Sequence, residues 1–128
     1  VEARGAAAVA DSFLAAGLDM RRRLFGDMHL EIAYSLAPMG EILHLRGDHA
    51  GAVVRLRECV AIRDSLLAAD DWERWGTRSD LGRCLLDLRS YAEAIPYLES
   101  AVKGLEVNAF TADLAAEARR MLARARRM

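Results

Sequence analysis

The feature that most constrains this chain is that it repeats itself. Sliding the sequence by 42 positions sets Glu31 on Glu73, Gly40 on Gly82, Leu43 on Leu85, Ala50 on Ala92, Ala52 on Ala94, Leu56 on Leu98 and Val60 on Val102 without a gap. Ser35 on Thr77 and Met39 on Leu81 are conservative pairs at the same shift. One step earlier, Ala8, Ala10, Leu14, Leu18 and Arg21 fall on Ala50, Ala52, Leu56, Val60 and Arg63. A period of this length belongs to architectures whose units cannot bury an apolar face alone and do so by stacking. The register divides the 128 residues into the second half of a preceding unit (1–28), two whole units (29–70 and 71–110), and a C-terminal half-unit or capping helix (111–128). The chain therefore reads as one domain, a piece of a longer protein that opens on Val1 rather than an initiator Met.

Apolar and small residues recur at three- and four-residue spacing within each unit, as in Ala33, Leu36, Met39, Gly40 and Leu43, then Ala52, Val53, Leu56, Cys59 and Val60. That is the period of a helix with one buried face, and no stretch alternates as a strand does. Turn chemistry at Gly26-Asp27, Arg46-Gly47-Asp48, Ala69-Asp70-Asp71 and Val107-Asn108 separates six helices, predicted at 8–25, 30–45, 49–67, 72–88, 91–106 and 111–127. Ser90 with Glu93 reads as a capping box at the start of the fifth. Pro38 is the discordant residue. Lacking an N–H, it leaves the carbonyl of Tyr34 without its intrahelical donor, which predicts a kink or a late start for the second helix. Pro96 lies near a helix start and does modest harm.

Composition removes several classes of function. With 18 Lys+Arg against 19 Asp+Glu there is no basic excess for a nucleic-acid binder, and no apolar run approaches the roughly 20 residues of a membrane span. No leader-like segment opens the chain. Two cysteines, Cys59 and Cys84, make no disulfide framework and point to a reducing, cytoplasmic setting. His29, His44 and His49 lack the spacing that puts two metal ligands on one helical turn, and no phosphate-cradling loop or nucleophile elbow is present, so neither a metal, a cofactor nor an enzyme is indicated.

These residues resemble the tetratricopeptide repeat, in the 42-residue form found in kinesin light chains and many bacterial multidomain proteins. The resemblance lies in Gly26-Asp27-Met28-His29-Leu30-Glu31-Ile32-Ala33 and in Gly82-Arg83-Cys84-Leu85-Leu86-Asp87-Leu88-Arg89-Ser90-Tyr91-Ala92-Glu93-Ala94, and it extends over nearly the whole chain. It implies an all-α, right-handed superhelical solenoid of antiparallel helix pairs whose concave face, lined by the first helix of each pair, holds an extended or helical peptide. Carried over by position, the concave residues are Tyr34, Ala37, Pro38, Glu41 and His44 in one unit and Gly76, Ser79, Asp80, Arg83 and Asp87 in the next. The paired asparagines common in this family are replaced by Ala37-Pro38 and Ser79-Asp80, and its carboxylate clamp is missing, which argues against capture of a C-terminal carboxylate.

Asp80, Arg83 and Asp87 share one helix face, so Arg83 either meets an acidic partner, joins an intrahelical charge trio, or bridges to Glu41 one unit earlier. Tyr34, Trp72 and Trp75 sit at the starts of first helices, as groove anchors or as packing at a unit junction. Arg119, Arg120, Arg124, Arg126 and Arg127 give the last helix a local basic excess that also suits a helix C-terminus. The expected function is a noncatalytic scaffold that binds a protein or peptide partner. Two alternatives remain: self-assembly into a homo-oligomer through apolar faces on the end helices, which Leu14 and Leu122 represent, and a regulatory region of a larger bacterial signalling protein.

Overall fold

The computed structural model describes residues 3–128; Val1 and Glu2, assigned by the register to the N-terminal half-unit, lie outside them. Six α-helices follow one another: α1 (Ala3–Phe25), α2 (Leu30–Leu45), α3 (His49–Leu66), α4 (Trp72–Asp87), α5 (Tyr91–Glu106) and α6 (Ala112–Arg127), with a single 3-10 turn at Ala109–Thr111 before the last. Among the described residues there is no strand. Each helix packs on its sequence neighbours, and the odd contacts beyond neighbours join α2 to α4 and α4 to α6. No helix is long and apolar enough to cross a membrane among these residues.

Local chemistry explains where α2, α3 and α4 start. Asp48 accepts from the Gly51 N–H at 2.9 Å and Asp71 from the Glu73 N–H at 3.0 Å, each satisfying a donor with no intrahelical partner. His29 does the same for α2, its Nδ1 accepting from the Glu31 N–H at 3.0 Å while its ring stacks on Phe25. The capping box expected at Ser90 does not form. Ser90 makes no side-chain cap, its N–H is taken by the Leu85 carbonyl at 2.9 Å, and the Glu93 carboxylate pairs with Arg57 of α3 at 2.5 Å.

The 42-residue register reappears as repeated geometry. At the end of α2 the Gly47 N–H bonds the His44 carbonyl and the Asp48 N–H bonds that of Leu43, at 3.0 and 2.9 Å; at the end of α4 Arg89 bonds Leu86 and Ser90 bonds Leu85 at the same two distances. Both turns need a left-handed residue, and they use Gly47 (φ +85°) and Arg89 (φ +62°). Gly40 and Gly82 are equally matched: a Cβ on either would sit 2.8 or 2.6 Å from a side-chain atom of Leu56 or Leu98, so both crossings depend on glycine for close approach. A third pair is polar. Arg21 of α1 donates to Ser35 Oγ on α2, and Arg63 of α3 donates to Thr77 Oγ1 on α4 at 2.6 Å, each hydroxyl donating in turn to the carbonyl of Glu31 or Glu73. The second half of one unit is thus tied to the first half of the next by residues that align in the sequence.

The core runs through these crossings. Leu81, Leu85, Leu86, Ala94 and Leu98 are wholly or almost wholly buried together with Ala52 and Leu56, and a second cluster of Leu18, Ile32, Leu36, Cys59 and Ile62 joins α1 to α2 and α3. Each such leucine contributes about 1.5–3 kcal/mol. Pro38 neither breaks α2 nor delays its start at Leu30. Leu14 and Leu122 both face the core, so neither lies on an outward end face. On α1 the outward apolar residues are instead Val9, Phe13, Met20 and Leu24, with Phe13 75% exposed. The far end differs: α6 buries Ala115, Ala118, Leu122 and Ala125 and turns its arginines outward, where Arg119 and Arg126 pair with Glu106 and Glu99 of α5.

Candidate functional site

Because α2 and α4 occupy equivalent positions in successive units, they stand side by side and leave a groove between them. It has a volume of about 600 Å³ and is walled by Tyr34, Ala37, Pro38, Glu41 and His44 of α2 and by Asp80, Arg83 and Cys84 of α4, with Leu56 and Arg63 of α3 beneath. Five of the seven residues expected from the sequence to bind a partner, Tyr34, Glu41, His44, Asp80 and Arg83, line it. A smaller depression of about 140 Å³ continues toward α6, sharing Asp80, Arg83 and Arg63 and adding Trp72, Gly76, Ser79 and Leu114. Ser79 is buried (6% exposed) and belongs to this second space.

The electrostatics turn on Arg83. It donates to Asp80 at 3.0 Å and to Glu117 of α6 at 2.5 Å. Burial pulls its guanidinium down, but those two carboxylates hold it above its ordinary value. Asp80 is raised: withdrawal from solvent outweighs the opposing pull of Arg83, and Glu41 and Glu117 add to the rise. Of the roles expected for Arg83, the i,i+3 pair with Asp80 is present, but its other partner is Glu117 rather than Glu41 or Asp87. Glu41 makes no ion pair among the described residues and faces the groove. With Arg83 neutralised twice over, the groove offers acid rather than base to an incoming chain.

Apolar and backbone groups complete the surface. Tyr34 is 51% exposed and its ring lies under the Arg63 guanidinium, 5.6 Å from the centroid, with Arg63 held by Thr77 and Glu73. Pro38, one turn on, brings no N–H to the Tyr34 carbonyl, and both residues line the groove. Trp75 is packing: its ring rests against Gly104, Arg74 and Arg78 lie over its faces, and its Nε1 donates to the Ala69 carbonyl at 2.8 Å. Trp72 is 47% exposed at the mouth of the smaller depression.

Asp87 does not complete a trio with Arg83. It lies 3.7 Å from His44 Nε2, while His44 Nδ1 lies 3.0 Å from His49 Nδ1 and 3.5 Å from Cys84 Sγ. Sequence spacing gave no sign of this meeting, because His44 and His49 stand on opposite sides of the Gly47 turn rather than on one helical turn. Both cysteines are free and buried, and burial pushes each thiol up to about 11. No protein-family model and no curated protein matches the chain.

Proposed function

We propose that this domain is a tetratricopeptide-like, noncatalytic interaction module, a right-handed helical-pair solenoid that holds a peptide segment of a protein partner in the groove between α2 and α4. The observation that carries the reading is the groove itself. Equivalent helices of successive units wall it, an exposed Tyr34 stands at its rim, and its charge is acidic, with Glu41 outside any ion pair among the described residues and Arg83 facing two carboxylates. A segment with a basic side chain beside an apolar anchor satisfies both. The free, buried thiols suit the reducing environment of a cytoplasmic protein.

Selection from a displayed peptide library tests this, with Tyr34→Ala and the Glu41→Gln, Asp80→Asn double variant run beside the wild type and their folding checked by circular dichroism. The expected result is a shared motif containing Lys or Arg, bound at least about tenfold more weakly by both variants. No enrichment, or equal binding by the folded variants, refutes it.

A second reading is supported by α1, whose Val9, Phe13, Met20 and Leu24 form an exposed apolar stripe. The charged outer face of α6 offers it no apolar match, so the fitting arrangement is α1 against α1 of a second copy. Sedimentation equilibrium distinguishes this: the mass rises with concentration and returns to that of one chain in Phe13→Glu.

A further inference from the structure

We propose that His44, His49 and Asp87 form a binding site for a divalent transition-metal ion of the zinc type. The three come from the end of α2, the start of α3 and the end of α4, and their ligand atoms all lie within 4.8 Å of one another. Imidazole nitrogen and carboxylate oxygen are the donors such ions take, and tetrahedral ligands bound at about 2.0–2.1 Å sit about 3.3–3.4 Å apart. The two Nδ1 atoms lie 3.0 Å apart, close to that edge, while Asp87 Oδ2 lies 3.7 Å from the other ring nitrogen of His44, Nε2.

The turn chemistry produces this meeting. Gly47 reverses the chain with its left-handed backbone, so two histidines five residues apart face each other across it. At 3.0 Å one ring nitrogen must offer its lone pair to the other, the form in which imidazole binds a metal. His44 turns Nδ1 to His49 and Nε2 to Asp87, so a single ion takes one of these nitrogens. The remaining ligand closes by up to about 1.4 Å through side-chain rotation, which the partly exposed His49 and Asp87 permit without moving a helix. Cys84 Sγ lies 3.5 Å from His44 Nδ1, beside the nitrogen and carboxylate donors that solvent completes. An ion here links the α2–α3 turn to α4, fastening one unit to the next at the end of the groove.

The test uses the full, untagged chain after chelator treatment, titrated with zinc chloride by calorimetry and with cobalt chloride by visible absorption. One ion per chain is expected, with a rise in Tm on loading. His49→Gln and Asp87→Asn each weaken binding at least about tenfold and lose the Tm rise, whereas His29→Asn, which changes the remaining histidine and keeps a helix cap, binds as the wild type does. Circular dichroism confirms that each variant is folded. Absence of a saturable one-to-one site, or equal affinity in His49→Gln and the wild type, overturns the proposal.

Discussion

Arg89 occupies a backbone position built for glycine, and replacing it should stabilise the protein. The turns after α2 and α4 have the same hydrogen bonds at the same distances, yet one places Gly47 at φ +85° and the other Arg89 at φ +62°. A left-handed backbone costs a side-chain-bearing residue about 1–2 kcal/mol. Glycine returns about 0.5–1 kcal/mol of that through its freer unfolded chain. The Arg89 side chain is exposed and makes no ion pair among the described residues, so little else is lost. Arg89→Gly is therefore expected to gain about 0.5–1 kcal/mol, or about 2–4 °C in Tm. The reciprocal Gly47→Arg should lose about 1 kcal/mol or more. Urea unfolding followed by circular dichroism measures both, and an unchanged m-value confirms that the folded and unfolded states are otherwise comparable. Opposite signs at the two positions are required; a neutral or destabilising Arg89→Gly would refute the reasoning.

The other expectations are equally direct. Gly82→Ala should destabilise by about 1–2 kcal/mol by urea unfolding, because its Cβ would stand 2.6 Å from fully buried Leu98, and the cost of overpacking exceeds the gain in helix propensity. Cys59 and Cys84, both pushed up to about 11, should resist a thiol-reactive dye at pH 8 in the folded protein and react promptly in urea. Asp80 binds its proton more tightly when folded than when unfolded, so its stabilising contribution is largest below its ordinary value of 3.8 and is lost as the pH rises through its raised folded value. Asp80→Asn should flatten that decline in a series of urea unfolding curves taken upward from pH 3.

How much of this was legible in the sequence depended on whether a feature is local. The six helices follow from three- and four-residue periodicity and from turns whose Gly, Asp and Asn residues act within a few positions, and the extra 3-10 turn adds only Ala109–Thr111. Gly40 and Gly82 could be read as crossings because the repeat presents the same need twice. Five of the residues named from the sequence line the groove because α2 and α4 stand in equivalent positions, while Ser79 lines the smaller depression toward α6. The partners of charged groups were the least legible. Glu117 is remote in sequence from Arg83, and nothing in the spacing of Glu93 announces its pairing with Arg57. His44, His49, Cys84 and Asp87 meet only because a left-handed turn and a neighbouring unit bring them together.

The groove between α2 and α4 is the centre of the account, and its direct test is a nitrogen-15 NMR titration of the chain with a peptide selected from the library. Binding in the groove predicts shifts at Tyr34, Ala37, Glu41, Asp80 and Arg83, with the outer face of α1 and the arginine face of α6 unmoved. Shifts confined to α1 or α6, with the groove amides unchanged, would contradict it.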